Sequence, residues 1–367
     1  MKTVCELNMC TGCGLCEEIC PKKTITIKDE SMFLNAVIGD DCIKCELCTK
    51  KCPQLNDVER KHYLYMRDGW ANDKNIRKKS SSGGIATAVI KAFLENSGSV
   101  CSCTFKNGNF VFSMTENTDE YDIFQGSKYV KSSPYGIYKQ IKKKLYSGKK
   151  VLMVGLPCQI AAAKSYIDEK NSESFYTIDL ICHGTPSVNL LKRYIKEKNI
   201  NFDNLKGIAF RTSTDYGMSF NGKRINPPGV RDNYLLSFLC SIDYTENCYS
   251  CKYADINRVG DLTLGDSWET ELPEKEKRKG VSLILCQTEK GKELLSMADV
   301  KIRKTDEFKA ISGQAQLKSP VAKGKKYEKF RSVYKGNNFN ESVIKVLAYK
   351  CFKQRVKKIM MQLRGVR

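Results

Sequence analysis

With 62 Lys and Arg against 41 Asp and Glu, the 367-residue chain carries a formal charge of +21, and it is long enough for two or three structural units. Eighteen cysteines against two histidines argue against a histidine-ligated metal enzyme and for thiolate-bound iron in a reducing cytoplasm. No run approaches the roughly 20 apolar residues of a spanning helix, the opening MKTVCELNMC lacks a signal peptide, and no zinc-finger, RNP-type or basic-zipper pattern points to nucleic acid.

Residues 1–57 contain one cysteine pattern twice. Cys10, Cys13, Cys16 and Cys20 precede Pro21, and Cys42, Cys45, Cys48 and Cys52 precede Pro53, each with the spacing C-x-x-C-x-x-C-x-x-x-C-P. That spacing is the bacterial two-cluster ferredoxin signature, in which three thiolates hold one 4Fe-4S cluster and the fourth crosses to the other. It groups Cys10, Cys13, Cys16 and Cys52 around one cluster, and Cys42, Cys45, Cys48 and Cys20 around the second. Gly12 and Gly14 are expected to let the backbone close around the first. The runs Thr24 to Ile27 and Phe33 to Val37 read as short strands. Tetrahedral zinc is the alternative for paired C-x-x-C units, but the duplicated pattern favours iron.

Residues 58–79 read as a connector. From Ser80 a small-residue turn, Ser80 to Gly84, opens an apolar helix whose first amides could bind phosphate; an ordinary N-cap is the alternative. Strands are expected at Val100 to Phe105, Phe110 to Met114, Lys150 to Gly155, Ser174 to Cys182, Ile208 to Arg211, Leu262 to Gly265 and Ser282 to Gln287. The fold class is therefore α+β, a ferredoxin domain fused to an α/β body divided into 80–150 and 151–330. Residues 331–367 form a basic amphipathic tail, suited to an anionic membrane, a partner, or its own domain.

Four further cysteines stand in distinctive settings: Gly155-Leu156-Pro157-Cys158-Gln159, Cys182-His183-Gly184, and Cys248-Tyr249-Ser250-Cys251. Cys158 and Cys182 follow predicted strands whose ends would converge at a crevice. The Cys248/Cys251 pair could complete a third four-thiolate site there.

These motifs, with Ser81 to Thr87, Gly126 to Val130, Asp179 to Pro186, Asn247 to Tyr253 and Arg258 to Asp266, resemble the coenzyme F420 hydrogenase/dehydrogenase beta-subunit family over about Ser80 to Asp299. The resemblance implies a flavoprotein body holding FAD beside one 4Fe-4S cluster, with Cys158, Cys182, Cys248 and Cys251 as its ligands. It places Ser82, Gly83, Gly84 and Thr87 at the flavin pyrophosphate, with Lys128 and Tyr129 nearby; close-approaching glycines, a helix start and a lysine suit an anion. Arg258 and Asp261 are weaker candidates for flavin or substrate contact, a structural ion pair being the alternative. His183 reads as a loop histidine or a proton shuttle, and Arg211, Asp215 and Tyr216 would stand where substrate enters. Cys5, Cys101, Cys103, Cys240, Cys286 and Cys351 match no ligand motif and are taken as structural.

The expected function is electron transfer between three 4Fe-4S clusters and FAD, then to a deazaflavin coenzyme or an organic substrate. No catalytic side chain is identified. A redox partner protein or ferredoxin-like carrier is expected, and relatives suggest a glycan-precursor substrate in surface-polysaccharide metabolism. A non-catalytic electron-transfer subunit and a redox-regulatory iron-sulfur protein are the alternatives. Localisation is expected to be cytoplasmic, with peripheral contact at the inner membrane face through the tail.

Overall fold

The computed structural model of the protein describes residues 2–335 and 338–364. The expected tail, 331–367, thus lies in part outside the described residues. In the first 57 residues the two cysteine runs adopt one backbone twice. Gly12 and Lys44 lie in the left-handed region at φ 68° and 56°, and Gly14 and Glu46 at 73° and 61°. Gly14 and Glu46 each precede a short helix, Leu15–Ile19 and Leu47–Lys50. Because Lys44 and Glu46 make the same turn, glycine is not required for its conformation. Gly12 is required for space, since a Cβ there would lie 2.6 Å from Leu34 Cδ1. The two expected strands form an antiparallel hairpin, β1 (Ile25–Asp29) and β2 (Leu34–Ile38).

The body contains β3 (Tyr65–Ala71), β4 (Ser99–Lys106), β5 (Asn109–Thr115), β6 (Val151–Gly155), β7 (Phe175–Leu180), β8 (Ile208–Arg211), β9 (Tyr216–Phe220), β10 (Lys223–Arg224), β11 (Leu262–Asp266), β12 (Ser282–Cys286) and β13 (Val300–Lys304). Eight of these make one mixed sheet in the order β13-β3-β12-β11-β7-β6-β4-β5, and β10-β9-β8 make a second. The pairings among β4, β6, β7 and β11 are parallel, and the remaining ones antiparallel. Every residue of β6 and of β12 is buried, which is why these segments read as unbroken apolar runs.

One expected boundary is corrected. Residues 58–79 are not a connector, because β3 pairs on one side with β12 and on the other with β13. Charged residues hid it: Asp68 is buried in mid-strand, where Ser267 Oγ and Thr270 Oγ1 each donate to its carboxylate at 2.5 Å. The two parts of the body, 80–150 and 151–330, share one sheet, since β4 pairs directly with β6.

Behind the sheet, an aromatic-rich core joins β8 and β9 to helices Val188–Lys196, Asn233–Leu239 and Lys325–Val333 and to the first half of Phe339–Leu363. Asp243 is fully buried there. Ser237 Oγ donates to one of its oxygens at 2.5 Å, and the other oxygen has no partner. Burial therefore pushes its pKa up from 3.8 to about 7.

The ferredoxin unit is fastened to the body by polar contacts. Glu18, itself buried, accepts from the Gly136 and Lys139 amides (2.7 and 2.5 Å) at the start of helix Ile137–Tyr146. Tyr138 Oη donates to the Cys13 carbonyl at 2.7 Å, and Lys51 and Ser165 exchange side-chain to backbone bonds.

Replacing Glu18 with Ala removes the cap from two partly buried amides and should cost about 1–2 kcal/mol in anaerobic urea unfolding. Asp243 generates a pH effect. Its raised folded pKa makes its contribution complete below the unfolded value and lost as pH rises through about 7. Stability should therefore decline between about pH 4 and 7 and level off above that, and Asp243→Asn should flatten the decline in parallel urea titrations.

Candidate redox centre and ligand cavity

Cys10, Cys13, Cys16 and Cys52 line one small cavity. Cys20, Cys42, Cys45 and Cys48 line another. The fourth cysteine of each run has thus crossed to the other group, as the spacing anticipated. Amides reach the sulfurs in matching fashion, Gly12 N–H to Cys10 Sγ at 3.3 Å and Lys44 N–H to Cys42 Sγ at 3.4 Å. The first group is buried, whereas Cys45 is exposed.

Cys5, expected to be structural, also lines the first cavity. The neighbouring Cys5 thiol holds Cys52 down to about 6 and lowers Cys10 as well. No spacing rule could have found it, because Cys5 stands outside the repeated motif.

Cys158, Cys182, Cys248 and Cys251 surround a third cavity with Lys131, His183 and Thr185. Cys158 lies in the first turn of helix Pro157–Tyr166 after β6, Cys182 follows β7, Cys248 lies within the turn Glu246–Ser250, and Cys251 directly follows that turn. Adjacent parallel strands bring the first two together. Gln159 fixes the loop before Cys158, accepting from the Leu156 amide at 2.9 Å and donating to Ser132 Oγ at 3.0 Å. The Thr245 amide donates to the Thr185 carbonyl at 3.0 Å, which ties the Cys248 turn to the segment after Cys182.

Burial pushes the Cys158 thiol up to about 12 and raises Cys182 and Cys251 as well. Cys248 Sγ accepts from Asn247 Nδ2 at 3.8 Å and Lys131 Nζ at 4.0 Å, and lies 3.5 Å from Thr245 Oγ1. Burial alone would lower the Lys131 pKa, but Cys248, Cys158, Cys182 and Cys10 together hold it above the ordinary lysine value. Lys131 therefore faces both the third group and the first. Tyr253 spans the same gap: it lines the third cavity, and its hydroxyl donates to the Pro53 carbonyl at 3.2 Å.

Among the described residues, no three His, Cys, Asp or Glu side chains gather closely enough for a single metal ion. Each thiol quartet instead rims a cavity, as a multi-atom cluster requires, and an all-thiol set suits iron-sulfur chemistry.

A larger cavity of about 330 Å³ opens beside the third quartet, within the usual range for ligand sites. Its floor is made by the carboxyl ends of β6, β7 and β11, and one wall by the start of helix Ile85–Glu95. Leu156, Cys182, His183, Gly184 and Thr185 line both cavities. Gly184 cannot carry a side chain, because a Cβ would lie 2.2 Å from the Tyr244 ring and its φ is 129°.

Ser82, Gly84, Thr87, Lys128 and Tyr129 all line this larger cavity. Gly84, at φ 86°, caps the helix without a side-chain hydrogen bond, so no side chain competes for the first-turn amides. Ser82 Oγ is engaged with the Val281 carbonyl at 2.9 Å. Lys128 Nζ donates to the Phe124 and Gln125 carbonyls (2.7 and 3.1 Å), so its charge orders the loop beneath the cavity. Gly83 is not part of the lining. Its missing side chain admits the sheet, since a Cβ would lie 2.4 Å from the Gly69 carbonyl oxygen and 2.7 Å from the Ser282 nitrogen.

Arg211 and Tyr216 stand at the cavity as expected, and Asp215 does not: it pairs with Arg224 and accepts from the Gly229 amide. Arg211 makes a two-point ion pair with Asp266 (2.7 and 3.2 Å) and reaches the Tyr129 and Tyr216 hydroxyls at 3.3 Å. Trp268, 45% exposed, lies at this edge. Arg258 and Asp261 belong to the scaffold. Arg258 forms a buried ion pair with Asp179 at 3.0 Å, and Asp261 accepts from the Thr177 amide and hydroxyl. His183 is reached by solvent through the cavities yet densely surrounded by protein, which lowers its pKa below the ordinary imidazole range.

Residues 9–57 match the 4Fe-4S dicluster domain, which makes the chain an iron-sulfur redox protein. Residues 66–135 and 148–310 match the N-terminal and C-terminal models of the coenzyme F420 hydrogenase/dehydrogenase beta subunit. The chain belongs to that family. It is 23% identical to an F(420)H(2) dehydrogenase subunit of Methanosarcina mazei over 297 residues, 74% of this chain and 82% of that one. Coenzyme F420-dependent sulfite reductase of Methanocaldococcus jannaschii is 20% identical over 322 residues, 82% of this chain but only 48% of the relative. A solved chain of the F420-reducing NiFe hydrogenase complex from Methanosarcina barkeri aligns over 70% of this chain and 90% of its own, at 18% identity and a TM-score of 0.49.

The geometry separates the two glycines. Gly83→Ala should destabilise the whole fold by about 2 kcal/mol or more through forced backbone displacement, measured as a lowered urea midpoint.

Proposed function

We propose that the protein is an iron-sulfur flavoprotein that relays single electrons through three 4Fe-4S clusters to FAD, and from there to a two-electron acceptor. The observation that carries this reading is the wall shared by the third thiol quartet and the large cavity, formed by Leu156 and Cys182 to Thr185. A cluster held by Cys158, Cys182, Cys248 and Cys251 would lie against a ligand in that cavity, close enough for direct electron exchange. FAD would be held with its pyrophosphate at the start of helix Ile85–Glu95, near Ser82, Gly84 and Thr87. When bound, it supplies the conversion between one-electron and two-electron chemistry.

The chain's own residues set the order of the relay. The exposed Cys45 group is the entry point, the buried Cys10 group follows, and Lys131 and Tyr253 bridge that group to the third. Lys131 favours the more negative, reduced state of a neighbouring cluster, since a buried cation stabilises added negative charge. Tyr216 and Trp268 at the cavity edge, held against the Arg211–Asp266 ion pair, offer an aromatic platform to the incoming acceptor. A deazaflavin coenzyme fits that platform, and two relatives bear F420 in their names. Because one of them is named as a subunit, turnover is expected to need a redox partner protein.

Anaerobic purification with quantification of iron, sulfide and released flavin tests the reading. It predicts about twelve irons and one FAD, and Cys251→Ser should lower iron by about four while leaving flavin and the ferredoxin signals. About eight irons without flavin would overturn it. Lys131→Met should retain all the iron yet shift one cluster to a more negative midpoint potential in an EPR-monitored titration, and Lys131→Arg should restore it.

A further inference from the structure

The helix Phe339–Leu363 is apolar on two opposite sides, and only one of them is covered. Phe339, Val343, Leu347 and Cys351 are buried against the body. Beyond a break in helical geometry at Leu347 the same side stays attached: Gln354 accepts from the Arg231 amide at 2.9 Å, and Lys357 Nζ and Lys358 Nζ donate to Gly229 and Asn226 (2.8 and 2.9 Å). The opposite side carries Tyr349, Phe352, Val356, Ile359, Met360 and Leu363, between 38% and 84% exposed. At the helical repeat these six fall within an arc of roughly 100°, diametrically opposed to the attached side. An ordered apolar stripe on an anchored helix is a contact surface rather than scatter.

Charge selects the occupant. From Ser342 to Arg364 the sequence has seven Lys or Arg and no Asp or Glu. Lys353 and Arg355 border the stripe on its two sides and Arg364 its end, with Lys353 Nζ 4.5 Å from the Tyr349 ring centroid. A second copy of this helix would set cation against cation. An anionic bilayer accepts both features, apolar side chains among the acyl chains and basic stems reaching the headgroups.

We propose that the second half of this helix is an in-plane membrane contact, docking the protein on anionic lipid with its stripe facing the bilayer. The six residues enter the interface while Gln354, Lys357 and Lys358 keep the helix attached to the body. This contact does not depend on which cofactors the body holds. It is peripheral, since among the described residues no helix is long and apolar enough to cross a membrane.

The test is sedimentation of the full-length, cofactor-loaded protein with phosphatidylcholine vesicles and with vesicles in which about one-third of the lipid is phosphatidylglycerol. The expected result is capture by the anionic vesicles, much weaker capture by phosphatidylcholine, and release by high salt. The double variant Phe352→Glu, Ile359→Glu changes exposed residues only, so it should keep its iron and unfolding midpoint while losing about tenfold or more in vesicle partition. No capture by anionic vesicles at low salt overturns the proposal, as does undiminished capture of the double variant. Light scattering that reveals a dimer abolished by the same variant would assign the stripe to a second copy and also overturn it.

Discussion

Gathering buried sulfur is the constraint on which the rest of this structure depends. Twelve cysteines drawn from residues 10 to 251 collect into three groups of four, and the first and third groups place potential negative charge in a poorly solvated interior. Burial drives the Cys158 thiol up to about 12, so thiolate character there calls for compensating positive charge. Lys131, enclosed between the first and third groups, offsets part of that charge from the protein side. The ferredoxin unit is accordingly pinned to the body by Glu18, Tyr138 and Lys51, because slack there would separate the groups.

The parallel centre of the sheet explains how two cavities come to share one wall. Strands β6, β7 and β11 end together: the loops after β6 and β7 carry Leu156 and Cys182 between the two cavities, while the end of β11, Gly265 and Asp266, lines only the larger one. The Cys182 to Thr185 segment is the partition between the two. Its shape is fixed by Gly184, whose position excludes any side chain, and by the Thr245 to Thr185 hydrogen bond. The Arg258–Asp179 ion pair, exposed by 1% and 0%, locks β7 to the segment leading into β11 from beneath. It shapes the floor without touching a ligand.

The residues differ in how far sequence could place them. The crossed grouping of Cys20 and Cys52 was legible because cubane geometry dictates ligand spacing and leaves a signature in the chain. The strands at 100–105, 150–155 and 282–287 were legible as apolar runs. Strand β3 was not, because its central Asp68 is satisfied by hydroxyls nearly 200 residues away. Gly83 looked like a ligand glycine and proved to be a packing glycine, a distinction that depends on which face of the turn meets Gly69 and Ser282. Lys128 looked like a phosphate cation, yet it is occupied by two carbonyls of its own loop.

By itself the sequence determined the chemistry: soft thiol ligands at fixed spacing, a helix start rich in small residues, and a basic tail with apolar spacing of three and four. These are local properties, set by bond lengths, helical repeat and side-chain type within a few residues. Only the tertiary structure decided adjacency: that Cys5 enters the first quartet, that Lys131 stands between two thiol groups, that His183 faces two cavities, and that the tail's outer stripe is left bare. Adjacency arises from strand order and packing across residues hundreds apart, and no local pattern in a single chain encodes it.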